Sequence, residues 1–329
     1  MGFGDIPPVE RPQTYLDTAF RKARTNAREY NLEEREKSHL NRAKTLALLK
    51  LSSINDYLSS QLDKISKNFP SLDNLDEFYV QLIRHNTDER ELKRALSTIA
   101  GLRRQISTFT SKYNKNIKRA STPEQANEEL RNYYGRIGSL FKRTEGTFEY
   151  LHRARQFLRT LPRLKQDCFT VCIAGFPNVG KSTLLSKITT STPEINSYAF
   201  TTKSLNIGYR NEDGIKIQFI DTPGTLNRPE KMNAIEQMAQ LAMRYAAETI
   251  IYVFDLTEDS YPLQKQNQLF KSLKRLQVPL IAYLSKTDIL DEGIIEEFKE
   301  TFTGKKIPLC TTTEELVKKL GTSYRNLVR

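Results

Sequence analysis

Gly175-Phe176-Pro177-Asn178-Val179-Gly180-Lys181-Ser182 follows the apolar run Phe169-Thr170-Val171-Cys172-Ile173-Ala174 and precedes Thr183-Leu184-Leu185-Ser186-Lys187-Ile188. A β-strand that ends in a glycine-containing loop and opens into a helix turns several backbone N–H groups toward one point, where a polyphosphate fits. The spacing G-x-x-x-x-G-K-S is that of a phosphate-binding loop. Its glycines let the backbone approach the phosphates, Lys181 reaches the β- and γ-phosphates, and the Ser182 hydroxyl binds Mg²⁺.

Outward from this stretch, the second half alternates strands and helices. Strands are expected at 204–209 and 216–220, joined as a hairpin through Asn211-Glu212-Asp213-Gly214, and at 249–255, 279–285 and 306–309. Helices are expected near 231–245, 264–276 and 314–320. This order predicts an α/β domain with a doubly wound, mostly parallel sheet and nucleotide chemistry at the carboxyl ends of its strands.

Those ends carry the remaining parts of a nucleotide triphosphatase. Asp221-Thr222-Pro223-Gly224 closes one strand, placing a carboxylate near the metal and the Gly224 N–H where a γ-phosphate would sit. In Tyr198-Ala199-Phe200-Thr201-Thr202-Lys203-Ser204 a threonine hydroxyl is available for Mg²⁺, with Thr202 favoured over Thr201. In Ser285-Lys286-Thr287-Asp288, the Asp288 carboxylate is suited to accept hydrogen bonds from the N1–H and 2-amino groups of guanine, and the Lys286 stem to lie across the base.

The first half reads differently. Apolar residues recur at helical spacing in three long stretches: Leu32 to Phe69, with its stripe beginning at Leu40 and stopped by Pro70; Leu92 to Ile117; and Leu130 to Leu158, opened by Thr122-Pro123-Glu124-Gln125. An antiparallel three-helix bundle is expected, preceded by a short basic helix over 13–28 and an irregular N-terminus. The expected boundary gives a basic helical bundle over 1–166 and a nucleotide-binding domain over 167–329.

The formal charge of +12 is unevenly divided. Residues 1–166 hold 31 Lys and Arg against 20 Asp and Glu, whereas residues 167–329 hold 20 against 19, so the surplus lies outside the nucleotide half. Arg103, Arg104, Lys112, Lys115, Lys118, Arg119, Arg153, Arg155, Arg159 and Arg163 concentrate it further. Such a one-sided basic arm suits RNA or another polyanion, and the alternative is a solvated helix face on an arm that docks a protein. Three cysteines without metal-ligand spacing, no apolar signal region and no run near the roughly 20 residues a membrane helix needs lead to the expectation of a reduced, cytoplasmic protein.

Taken together, GFPNVGKS, YAFTTKS, DTPG and SKTD resemble the translation-factor-like GTPases of the Obg type. Leu226-Asn227-Arg228-Pro229, Ala234-Ile235-Glu236-Gln237, Cys310-Thr311-Thr312-Thr313-Glu314-Glu315, Phe69-Pro70-Ser71-Leu72-Asp73 and Arg159-Thr160-Leu161-Pro162 extend the likeness to the nucleolar GTP-binding (Nog) family, in an archaeal-type form ending soon after the G domain. The resemblance implies an N-terminal bundle followed by a Ras-like P-loop GTPase domain that binds GTP and GDP with Mg²⁺. It implies a nucleotide site of Asn178, Val179, Gly180, Lys181, Ser182, Thr183, Ser285, Lys286, Asp288, Cys310, Thr311 and Thr312, with the Thr311 N–H on the guanine carbonyl. The metal falls to Ser182, Thr202 and Asp221, and catalysis to Lys181, Thr202, Gly224 and Asn178. The implied partners are the large ribosomal subunit precursor and its rRNA, with ribosomal proteins or other assembly factors beside them.

Two departures stand out. Ser285 replaces the family's usual Asn, and a serine is not expected to bridge phosphate loop and base in the same way, a loss of about 1 kcal/mol. Thr225 stands where the family has an aliphatic residue, and neither is the glutamine that orients water in signalling GTPases, so slow intrinsic hydrolysis is expected. Asn178 matches an asparagine that in related GTPases coordinates a monovalent cation, making K⁺ a candidate cofactor; its alternative role is to stabilise the loop turn.

Overall fold

The computed structural model describes residues 3–33, 38–190, 194–197, 204–222, 234–303 and 306–328. The chain forms two units, Met1–Leu75 with Ile83–Arg159, and Asp76–Leu82 with Thr160–Arg329.

In the first unit a short turn at Phe3–Asp5 leads to α1 (Pro12–Glu33), α2 (His39–Asn68), α3 (Glu77–Asn86, which begins in the second unit), α4 (Glu89–Arg119), α5 (Pro123–Arg143) and α6 (Glu145–Leu158). The expected apolar stripe of α2 is buried at Ala47, Leu51, Ile54, Leu58, Leu62 and Ile65. Ser38 caps its start by accepting from the Asn41 N–H, and Phe69 at its end is extended (φ −72°, ψ 135°), as the ring of Pro70 demands. For α4, Asp88 is the cap, and acidic Glu89 and Glu91 at the start with basic Lys118 and Arg119 at the end match the helix dipole.

Lys44 Nζ donates to the Lys118 carbonyl at 3.0 Å and Arg103 pairs with Asp63 at 2.6 Å, so the start of α2 lies by the end of α4. Asn116 donates to Glu129 across α4 and α5, and the Thr110 and Tyr133 hydroxyls meet at 3.0 Å, again antiparallel. To these helices the structure adds α1, longer than its sequence pattern suggests. Tyr15, Leu16, Ala19, Ala23 and Ala27 are buried, three alanines that allow close approach to α2. The last long helix is broken in two at Thr144, whose hydroxyl donates back to the Leu140 and Phe141 carbonyls and competes with the backbone for them. Phe3, Ile6 and Val9 are buried, so the N-terminal segment belongs to the core of this unit.

The second unit is built on a seven-stranded sheet in the order β2-β3-β4-β1-β5-β6-β7. The strands are β1 (Phe169–Ala174), β2 (Glu194–Ser197), β3 (Ser204–Glu212), β4 (Ile215–Asp221), β5 (Thr249–Phe254), β6 (Leu280–Leu284) and β7 (Leu309–Cys310). From β4 through β1, β5 and β6 to β7 all pairs are parallel, while β2 and β3 continue antiparallel on the other edge. β1, β5 and β6 are buried at every position, as strands covered on both faces must be. The β3–β4 hairpin turns on Asp213 (φ 50°) and Gly214 (φ 80°), the two left-handed residues of a tight hairpin turn.

The helices are α7 (Lys181–Ile188), α8 (Ala234–Tyr245), α9 (Leu263–Lys274), α10 (Glu292–Glu300) and α11 (Thr313–Val328). β2 and α10 had no clear pattern in the sequence; α10 carries a glycine, and Phe298 is its one buried side chain. Residues 76–82 pack in this unit, where the Tyr79 hydroxyl donates to the Pro162 carbonyl at 2.8 Å and accepts from the Leu164 N–H at 2.9 Å.

Candidate nucleotide site

The loop after β1 has the geometry that its glycines imply. Gly175 has φ 154°, and a Cβ there would lie 2.8 Å from the Val253 carbonyl oxygen, so no larger residue fits without a shift. Asn178 (φ 63°) and Gly180 (φ 93°) are left-handed, and Gly180 caps α7. Left-handed residues alternating with right-handed neighbours curl backbone N–H groups into an anion-binding concavity, and the N-terminus of α7 adds its positive end. Lys181 is buried and its Nζ donates to the Phe176 carbonyl at 2.7 Å, which holds the ammonium inside the loop. The Asn178 and Thr183 side chains are exposed, while Val179 is buried and presents its carbonyl to the neighbouring loop.

The hydroxyl of Ser182 donates to Asp221 Oδ2 at 2.6 Å, and the Asn206 amide reaches the same oxygen at 3.3 Å. Among the described residues the other oxygen, Oδ1, is buried without a hydrogen-bond partner. Burial pushes the Asp221 carboxyl above its ordinary range, against the opposing pull of Ser182, Lys181 and Asn206. A buried carboxylate oxygen with nothing to accept from, one hydroxyl away from a phosphate loop, fits a hard, oxygen-seeking cation such as Mg²⁺. Among the described residues no group of three His, Cys, Asp or Glu side chains could hold a metal, and Ser182 and Asp221 are the two expected ligands that fall within them. Thr222 fixes the exit of β4, its hydroxyl donating to the Ile173 carbonyl at 2.7 Å. Thr202, Gly224 and Thr225 lie outside the described residues.

On the base side, the Ser285 hydroxyl has one proton and two acceptors in reach, the Val179 carbonyl at 2.7 Å and the Phe254 carbonyl at 2.9 Å. The contact with the phosphate loop is therefore kept despite the replacement of asparagine, through the Val179 carbonyl. Lys286 adopts a left-handed backbone (φ 54°) and its ammonium pairs with Asp255 Oδ2 at 2.6 Å. Asp288 sits exposed in the following turn, Thr287–Ile289.

β6 and β7 are paired neighbours through Tyr283 and Cys310, which brings the loop of Asp288 beside that of Thr311. Burial pushes the Tyr283 hydroxyl above its ordinary value, and the nearby Glu314, Cys310 and Asp288 push it the same way. Cys310 is buried and its thiol is pushed up to about 11, chiefly by burial, which makes it core. Thr312 is exposed and its hydroxyl accepts from the Glu315 N–H. The Thr311 N–H, expected to serve a guanine carbonyl, donates here to Glu315 Oε2 at 3.0 Å.

A second layer around the site had no motif to reveal it. Asp255, 1% exposed at the end of β5, holds Lys286 with one oxygen and accepts from the Thr257 N–H and hydroxyl with the other. Burial pushes this carboxyl up, but Lys286 and Thr257 outweigh it and hold it below the usual carboxylate range. The buried Gln266 amide donates to the Asp255 and Tyr261 carbonyls and accepts from the Asp255 N–H, and the Tyr261 ring lies 4.6 Å from that of Phe176 in the phosphate loop. An acidic residue closing the run Thr249-Ile250-Ile251-Tyr252-Val253-Phe254 was the one available signal for Asp255.

The basic residues of the first half separate into those exposed on a helix face, where Lys112 lies 5.8 Å from the Tyr113 ring centroid, and those engaged with a carboxylate or carbonyl. Arg104, Lys112, Lys115, Lys118 and Arg119 are exposed on α4, and at 100° per residue they share one face. Arg153, Arg159 and Arg163 are also exposed. Arg103 pairs with Asp63. Half-buried Arg155 donates to the Ile6 carbonyl at 2.9 Å, and burial holds its guanidinium below the ordinary arginine value. Arg155 thus braces the N-terminal segment, with His152 Nδ1 against the Val9 carbonyl at 2.8 Å.

Residues 3–164 match the family described as the NOG1 N-terminal helical domain, and residues 170–286 match that described as a 50S ribosome-binding GTPase. An uncharacterised protein of Methanocaldococcus jannaschii is 33% identical over 88% of this chain and 82% of its own length. Nucleolar GTP-binding protein 1 of Drosophila melanogaster is 34% identical over 78% of this chain and 41% of its own length, and that of Eremothecium gossypii 29% identical over 95% and 50%. The chain thus spans half or less of these two eukaryotic relatives. A match that runs through both halves in the same order, helical domain and then GTPase domain, and extends along most of an archaeal relative shows that this chain belongs to the nucleolar GTP-binding (NOG1) family.

Proposed function

We propose that this protein binds and hydrolyses GTP as an assembly factor of the large ribosomal subunit, holding precursor rRNA through the basic face of its helical unit. The observation that carries the RNA part is the α4 face of Arg104, Lys112, Lys115, Lys118 and Arg119, exposed side by side in the half of the chain that holds nearly all the positive surplus. The names of its relatives, nucleolar and ribosome-binding, support the same reading.

Lys181 and the loop N–H groups would hold the β- and γ-phosphates, and Ser182 and Asp221 would hold Mg²⁺, which supplies charge neutralisation on the phosphate oxygens. Lys286 and Asp288 would take the guanine, and Ser285 would keep the loop and the base segment in register. Thr202 and Gly224 are proposed to report the γ-phosphate, so that hydrolysis releases their segments. Exposed, left-handed Asn178 is proposed as a ligand for K⁺, in which case hydrolysis is faster in KCl than in NaCl; equal rates remove the cation. A cytoplasmic location fits this role, and among the described residues no helix is long and apolar enough to cross a membrane.

The test is RNA binding by the full chain across a salt series. Wild type should lose affinity for large-subunit RNA steeply as salt rises, and a Lys112→Glu, Lys115→Glu, Arg119→Glu variant should bind more weakly with a shallower slope. Unchanged affinity and slope would remove the RNA reading and favour a protein docked on the arm.

A further inference from the structure

The N-terminus of α11 has an unusual cap. The Thr312 hydroxyl accepts from the Glu315 N–H at 3.3 Å, the first half of a capping box. The reciprocal bond is displaced by one residue: the Glu315 carboxylate passes over the N–H of Thr312 and takes that of Thr311, at 3.0 Å. Thr311 follows β7 directly, and the β6–β7 pairing through Tyr283 and Cys310 sets it beside the loop that carries Lys286 and Asp288. On the guanine reading of this edge, the Thr311 N–H would be the donor for the 6-carbonyl of the base.

One N–H serves one strong acceptor, and a carboxylate and a carbonyl are both acceptors without a proton to share. We propose that Glu315 competes with the guanine base for the Thr311 N–H and so sets the affinity of the site for guanine nucleotides. The inference rests on the guanine reading of the base pocket. Binding then exchanges a charge-assisted hydrogen bond for a neutral one, while the exposed carboxylate turns to water. Glu315 left in place would also set a negative charge against the carbonyl oxygen. The helix does not depend on this bond, since Leu316, Val317 and Leu320 are buried and Thr312 still caps it.

Removing the competitor should therefore tighten binding, a gain that misfolding cannot imitate. The experiment is titration of the full-length protein with fluorescent GDP and Mg²⁺, for wild type, Glu315→Ala and Glu315→Gln. Both variants should bind GDP more tightly, the alanine by about three- to tenfold, the range expected for one exposed hydrogen bond. In competition against fluorescent GDP, 2-aminopurine riboside diphosphate, which lacks the 6-oxygen, should bind wild type and Glu315→Ala alike. Unchanged or weaker GDP binding in both variants would overturn the proposal, as would an equal gain for the 2-aminopurine nucleotide. Failure of the wild-type protein to bind any guanine nucleotide is a separate result: it would sink the guanine reading, and the proposal with it.

Discussion

Replacing Asp255 by asparagine removes one charge and almost no volume, and its cost follows from the surroundings of the two oxygens. Oδ1 accepts from Thr257, a role the asparagine oxygen keeps. Oδ2 faces Lys286 Nζ at 2.6 Å, and there the variant would set a buried N–H donor against an ammonium. Breaking a fully buried ion pair costs about 3–5 kcal/mol, mostly from the stranded charge. The Lys286 side chain is 34% exposed, so its ammonium can turn to water and much of that penalty disappears. What remains is the lost attraction and an unsatisfied buried donor, itself worth about 1–3 kcal/mol. We therefore expect about 2 kcal/mol of destabilisation at pH 7, or roughly 4–8 °C in a unit of this size.

Calorimetry on the nucleotide-free full chain measures it, the relevant transition being the one that GDP shifts upward. The pH dependence has a definite sign. A carboxyl held below its ordinary value in the folded state stabilises the protein above its unfolded pKa of about 3.9, and that contribution is lost as pH falls through the lower folded value. The gap between wild type and Asp255→Asn should be full at neutral pH and narrow only in acid. A change below about 0.5 kcal/mol at pH 7, within the range of ordinary surface substitutions, would refute the reasoning. So would a gap that widens on acidification.

Gly175→Ala should cost about 2 kcal/mol, since the new Cβ meets the Val253 backbone oxygen at 2.8 Å in a conformation alanine avoids; urea unfolding gives the loss, and GDP titration should show weaker binding. Gln218→Leu should be costlier, about 2–4 kcal/mol by urea unfolding, because the buried Gln218 amide accepts from the Lys165 N–H and donates to the Lys165 carbonyl and the Thr170 hydroxyl; both Lys165 groups lose this partner, and Thr170 keeps only its bond to the Cys168 carbonyl. A loss below 1 kcal/mol in Gln218→Leu would mean that water takes over those bonds.

Much of this protein is written in short stretches. The phosphate loop was legible because one backbone shape demands glycine at positions 175 and 180 and the chemistry demands Lys181 and Ser182 beside them. The helices of the first unit declared themselves by their 3.6-residue stripes, and the β3–β4 hairpin by Asp213-Gly214. In each case the physical requirement falls on residues within a few positions of one another.

The tertiary structure decided what depends on distant segments meeting. Asp255 finds Lys286 only because β5 and β6 are parallel neighbours, and Gln266 holds the turn between them and α9. Arg155, one basic residue among many in the sequence, is committed to a carbonyl 149 positions away. Whether Ser285 reaches the phosphate loop, and whether Glu315 takes the Thr311 N–H, turns on hydrogen-bond distances set by strand register and helix start. Local residues determine conformation and chemistry, whereas the partner of each polar group is chosen by packing, which no short stretch encodes.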